Sequence, residues 1–122
     1  KEGRMKVVLS RLVPQVIPPM AAQAINRLLE RNALSIGDIS NWCVHSGGVA
    51  ILNQIAACLH LDSEKDFRYS WEVLRKWGNM SSATVGVVAK RIHADPENRH
   101  GYIVACTMGA GGQVGAMLAK YD

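Results

Sequence analysis

Apolar and polar residues recur along this chain with two different periods, and the changes of period divide it into elements. Met5 to Leu9 (MKVVL) is a short β-favouring run and predicts a first strand. Pro14, Pro18 and Pro19 follow, a cluster that breaks regular structure and then suits the first turn of a helix. From there Ala21, Ala24, Ile25, Leu28 and Leu29 recur at helical spacing, opposite Gln23, Asn26, Arg27 and Glu30, and the pattern ends near Asn32. Ile39 to His45 (ISNWCVH) reads as a strand running into Ser46-Gly47-Gly48. Val49 to Leu61 predicts three helical turns with few polar members, and a helix apolar almost all round is expected to be buried all round. Ser70 resembles an N-cap for a helix over Trp71 to Trp77, with Trp71, Leu74 and Trp77 on one face and Gly78 at its C-cap. Another apolar helix is expected over Ser82 to Ile92, and Asp95 to Asn98 reads as a loop. Tyr102 to Met108 and Val114 to Lys120 are two strands joined by the turn Gly109-Ala110-Gly111-Gly112. Strands alternating with helices predict a layered α/β fold that ends in an antiparallel hairpin.

Composition narrows this picture. The chain has 122 residues, which suits one domain over 1–122, and no internal repeat or linker divides it. A hydrophobic fraction of 48% excludes intrinsic disorder. No apolar run approaches the ~18 residues that a membrane-spanning helix needs. The chain opens on Lys1 with Met5 as its earliest methionine, so we expect a trimmed N-terminus, and nothing there reads as a signal peptide. The formal charge of +4 comes from scattered basic residues that do not interleave with aromatics, which argues against nucleic acid as a partner. Cys43, Cys58 and Cys106 are odd in number and widely spaced, without metal-binding spacing. All three are expected to be small buried hydrophobes in a reducing cytoplasm.

Two segments carry candidate chemistry. His45-Ser46-Gly47-Gly48 lies where a strand runs into an apolar helix. Loops and helix N-termini converge there, glycines allow close approach, and free N–H groups favour an anionic or carbonyl oxygen. The same four residues also suit a strand-ending turn. Gly78-Asn79-Met80-Ser81-Ser82 joins two helices; Asn79 there could satisfy loose backbone groups, and Ser81 or Ser82 could cap a helix.

Taken together, these segments resemble the C-terminal half of the thiolase-fold condensing enzymes, most closely type III polyketide synthases of the chalcone synthase kind. The resemblance rests on His45-Ser46-Gly47-Gly48 with Ala50-Ile51-Leu52, Trp71-Glu72-Val73-Leu74, and Gly78-Asn79-Met80-Ser81-Ser82-Ala83-Thr84, with Val8-Leu9-Ser10 and Val13-Pro14 upstream. Ketoacyl synthase III shares the architecture and the histidine/asparagine pair. The resemblance implies a mixed sheet with a buried central helix and a decarboxylative Claisen condensation of malonyl-coenzyme A with an acyl thioester. In that reaction His45 and Asn79 would hold the thioester carbonyl, and His45 would also pair with a nucleophilic cysteine. Gly47, Gly48 and Ala50 would line the pantetheine tunnel, and Gly109 and Gly111 would border the substrate cavity. Coenzyme A thioesters would be substrates, with no resident cofactor and no metal.

Two departures stand out. Ser46 replaces a common proline, and Gly112-Gln113 follows Gly109-Ala110-Gly111 where Pro-Gly is usual. The family's cysteine lies in an N-terminal half, and none of the three cysteines here sits at an exposed strand-to-helix elbow. We therefore expect a partner half carrying the nucleophile, and a dimer of the complete unit. A lone half would expose on the order of several hundred Å² of apolar surface. A half-fold kept as a partner- or acyl-binding module, without catalysis, is the competing reading.

Overall fold

A computed structural model describes Gly3 and residues 9–122. The expected strand over Met5 to Leu9 lies almost wholly outside them; Leu9 itself is in irregular backbone. Helix α1 (Val13–Arg31) is followed by a short 3-10 turn (Ile36–Asp38) and strand β1 (Ile39–Val44). Helices α2 (Val49–Cys58), α3 (Ser63–Asp66), α4 (Arg68–Trp77) and α5 (Ala83–Ala94) come next, then a 3-10 turn at Pro96–Asn98. Strands β2 (Tyr102–Gly109) and β3 (Gln113–Lys120) close the chain.

Among the described residues three strands form one mixed sheet in the order β1-β2-β3, with β1 parallel and β3 antiparallel to β2. Because successive strand side chains point to opposite faces, Trp42, Val44, Val104 and Cys106 pack on the α1/α2 side. Cys43, Ile103 and Ala105 pack on the other side with Val73 of α4 and Val88 and Ile92 of α5. Five of the six β1 residues are buried, as a strand covered on both faces requires. The result is a sheet between two helical layers, with Trp42 meeting Phe67 edge to face at 6.1 Å between ring centroids.

Several details differ from the sequence expectations, among them the unexpected α3 and the end of α2 at Cys58. Helix α1 starts at Val13 and runs through Pro18 and Pro19. Pro14 lies in its first turn, where a missing N–H costs nothing, and Pro18 is fully buried on a stripe with Ile17, Ala21, Ala22, Ile25 and Leu29. Burial of that stripe carries the helix past two residues that would break an isolated one. Helix α2 is not buried all round: Ile51, Leu52, Ile55 and Ala56 face the core, while Val49 is 57% exposed. Cys58 lies on that open side, so only Cys43 and Cys106 are the buried hydrophobes expected. Ser70 does not cap α4, which begins at Arg68; it sits inside the helix with its side chain turned to β1. The C-terminal end of α4 is as expected, at Gly78 with φ of 70°. The tight joint between β2 and β3 also forms, with Gly111 and Gly112 at positive φ.

Candidate active site

His45 is the first residue beyond β1, at the carboxyl end of two parallel strands. Its N–H donates to the Cys106 carbonyl of β2 at 2.9 Å, so the ladder extends one step past the strand and fixes the backbone that carries the imidazole. The residue is only 7% exposed, and burial pushes its pKa below the ordinary 6.5. An imidazole out of water disfavours its charged form, so the ring is neutral at pH 7 and carries one N–H. Gly47 explains how the ring fits. A side-chain carbon at position 47 would stand 3.4 Å from His45 Cδ2 and 3.8 Å from Nε2, so this edge of the imidazole lies directly against the glycine. The Gly47 N–H donates back to the His45 carbonyl at 2.9 Å, closing a tight turn. Gly48 then takes φ of 151°, a conformation that only glycine adopts freely, and becomes the N-cap of α2.

Asn79 arrives from the opposite direction. Gly78 ends α4 and the chain turns back. The Asn79 Oδ1 accepts from the Ser81 N–H at 2.9 Å, which leaves the Nδ2 group directed away from its own loop. That Nδ2 makes a long 3.5 Å contact with the Gly47 carbonyl. Ser81 is held at φ of 57°, and the Met80 N–H donates to the buried Thr84 Oγ1 at 2.8 Å. The loop is thus shaped by Asn79 and Thr84, and neither Ser81 nor Ser82 makes a side-chain cap. His45 and Asn79, 34 positions apart in sequence, converge on Gly47 with one edge each.

Beside this point a groove of about 380 Å³ is lined by Leu9, Val13, Pro14, Gly47, Gly48 and Ala50 among others. Its wall is largely apolar, Arg11 stands on its border, and the N-terminal turn of α2 opens onto it. Free N–H groups at a helix start and a guanidinium make this end of the groove electropositive. Gly109 and Gly111 lie elsewhere, in the exposed β2–β3 joint. Because β1 and β2 are parallel, that joint projects from the same end of the sheet as His45, but it does not line the groove.

Burial pushes the Cys43 and Cys106 thiols up to about 12, and the Cys43 Sγ–H donates to the Val85 carbonyl at 3.4 Å. Both stay protonated and enclosed, which suits packing and not nucleophilic attack. Cys58 is exposed on α2, away from the strand end. Sequence reasoning did not find two residues that shape the site, Ser70 and Thr84. The signal for Ser70 was available: it shares the α4 face of Val73 and Leu74, a polar residue on an apolar stripe.

With this geometry in place, comparison with known proteins assigns the class. Residues 1–120 match the family described as chalcone and stilbene synthases, C-terminal domain, and the chain belongs to that family. A 3,5-dihydroxyphenylacetyl-CoA synthase of Amycolatopsis orientalis is 32% identical over 121 residues, covering 98% of this chain and 32% of the relative. Among solved structures, PKS-I of the brown alga Ectocarpus siliculosus superposes with a TM-score of 0.86 at 27% identity, over 94% of this chain and 32% of that one. The 1,3,6,8-tetrahydroxynaphthalene synthase of Streptomyces coelicolor, a bacterial type III polyketide synthase, gives 0.84 at 25% identity, over 94% and 33%. The fold is therefore thiolase-like, and the chain spans about a third of the length of the relatives it matches.

Proposed function

We propose that this chain supplies the enolate-stabilising part of a decarboxylative Claisen condensation, with His45 and Asn79 as paired neutral donors. The observation that carries this is their convergence: the Cδ2–Nε2 edge of His45 and the Nδ2 group of Asn79 both meet Gly47, which also lines the apolar groove. A malonyl-coenzyme A thioester lies in the groove, its carbonyl oxygen between the two N–H groups and its pantetheine along Gly47, Gly48 and Ala50. The bond between the α-carbon and the carboxylate breaks, carbon dioxide leaves, and the electron pair becomes an enolate whose oxygen accepts both hydrogen bonds. The enolate carbon then attacks the carbonyl of an acyl thioester held on a cysteine, and the cysteine sulfur departs as thiolate. Each donor that strengthens its bond in the transition state is worth roughly 3–4 kcal/mol in a dry site. A buried, neutral His45 donates without losing its proton, which suits this role.

The nucleophilic cysteine belongs to the remaining two-thirds of the protein in this reading, because Cys43 and Cys106 are enclosed as thiols. Apolar residues left uncovered on this chain support a partner half. Leu12, just before α1, and Val16 and Met20 on it recur every fourth position and are exposed, and Met117 on β3 is 62% exposed. Gly109 and Gly111 border the acyl cavity from the β2–β3 joint, the complete unit is a dimer, and the site is cytoplasmic. The test is carbon dioxide release from malonyl-coenzyme A by the complete protein carrying His45→Ala or Asn79→Ala. Each variant loses roughly 10²–10³ in rate. Full activity in both would leave only the competing reading, a half-fold that binds a partner or an acyl chain without catalysing.

A further inference from the structure

His45 is gripped from both sides by two buried serines. The Ser70 Oγ–H donates to the Val44 carbonyl at 2.6 Å, and the Ser46 Oγ–H donates to the Ser70 carbonyl at 2.7 Å. Val44 and Ser46 are the residues immediately before and after His45, and both serines are fully buried. The two bonds run in opposite directions between the same pair of segments, so sliding one segment along the other breaks both. With the His45 N–H bonded to Cys106, the peptide units flanking the imidazole have three fixed points. Ser70 lies on α4, and the end of that helix carries Gly78 and Asn79. The serine pair therefore connects the strand that presents His45 to the helix that presents Asn79.

The geometry points to a reciprocal clasp, Ser46 with Ser70, that sets the position of the His45 imidazole relative to the Asn79 amide. Both serines are positioning residues, since neither faces the groove. The inference rests on the proposed roles of His45 and Asn79 for its kinetic consequence, but the placement of the imidazole can be measured without them. Ser70→Ala takes the side-chain donor from the Val44 carbonyl, and Ser46→Ala removes the second bond to the Ser70 carbonyl, which keeps its place in the α4 ladder; either loss lets the two segments shift. A displacement of about 1 Å in a reacting group can cost on the order of 10²-fold in rate.

The test uses Ser46→Ala and Ser70→Ala in the complete protein with two readouts: the imidazole resonances of His45 by NMR of labelled histidine, and kcat and KM for malonyl-coenzyme A decarboxylation. The clasp predicts that each variant moves the His45 resonances and lowers kcat about 10- to 100-fold with KM within about twofold. Ser70→Thr, which keeps the hydroxyl, restores both readouts. If the alanine variants do not fold, Ser46→Cys, a nearly isosteric and weaker donor, takes their place with an intermediate shift expected. His45 resonances that stay at their wild-type positions in the folded variants overturn the clasp, whatever happens to kcat. Wild-type protein with no decarboxylase activity but with resonances that move in the variants overturns the reaction assignment and leaves the clasp standing.

Discussion

Asn79→Asp tests the proposed catalytic amide against a purely structural one, because the two ends of this side chain have different partners. Oδ1 accepts from the Ser81 N–H at 2.9 Å and holds the loop; Nδ2 reaches the Gly47 carbonyl at 3.5 Å. An aspartate keeps the acceptor, and a carboxylate accepts at least as strongly as an amide. The residue is exposed, so the new charge stays hydrated. The melting temperature of the 122-residue chain should therefore shift by no more than about 4 °C, since the one bond lost is the long 3.5 Å contact with the Gly47 carbonyl and a hydrogen bond of about 1 kcal/mol moves it about 4 °C. Activity behaves differently. Loss of the donor removes roughly 3–4 kcal/mol of transition-state stabilisation, or about 10²–10³ in rate. A carboxylate some 4 Å from the enolate oxygen adds repulsion of up to about 4 kcal/mol at an effective dielectric of 20. The expected loss in malonyl-coenzyme A decarboxylation is at least on the order of 10³, and Asn79→Asp should be worse than Asn79→Ala. An aspartate variant within tenfold of wild type, or more active than the alanine variant, refutes the donor role.

Two further predictions follow from burial. A thiol reagent added to the native chain should modify Cys58 and spare Cys43 and Cys106; fast labelling of either buried thiol would contradict the packing described here. His45 resists protonation in the folded chain but takes it up readily once unfolded, where its pKa is the ordinary 6.5. As pH falls below that value the unfolded state binds more protons than the folded one, so stability declines, and it is unaffected by this residue above it. His45→Gln should reduce the slope of melting temperature against pH between 6.5 and the lowered folded value, while an unchanged slope would show that His45 titrates freely in the fold.

Much of the fold was legible because its elements carry strong periods. The β2–β3 pair follows from two alternating runs around a glycine-rich joint, and the end of α4 from a glycine after a basic last turn. What escaped the sequence depended on tertiary context. Pro18 is a helix breaker in isolation and a core residue in α1, because the packed stripe around it outweighs local preference. The all-apolar look of α2 overstated its burial, since this chain covers only one side of it. The four residues of α3 are too few to show a period. His45 and Asn79 were visible as motifs, but their meeting at Gly47 was not, for it depends on a parallel strand pair and a helix end brought together over 34 positions. Ser70 was misplaced for the same reason: its role lies in contacts with β1 and not in its own helix.

His45 and Asn79, in the proposed reaction, act as one site on one oxygen. A double-mutant cycle on malonyl-coenzyme A decarboxylation tests it most directly, with His45→Ala, Asn79→Ala and the pair measured in the complete protein. Two donors that share one developing charge are strongly coupled, so the double variant should lose little more than the worse single variant. Losses that multiply independently would contradict a shared site, and so would a single variant that keeps wild-type rate.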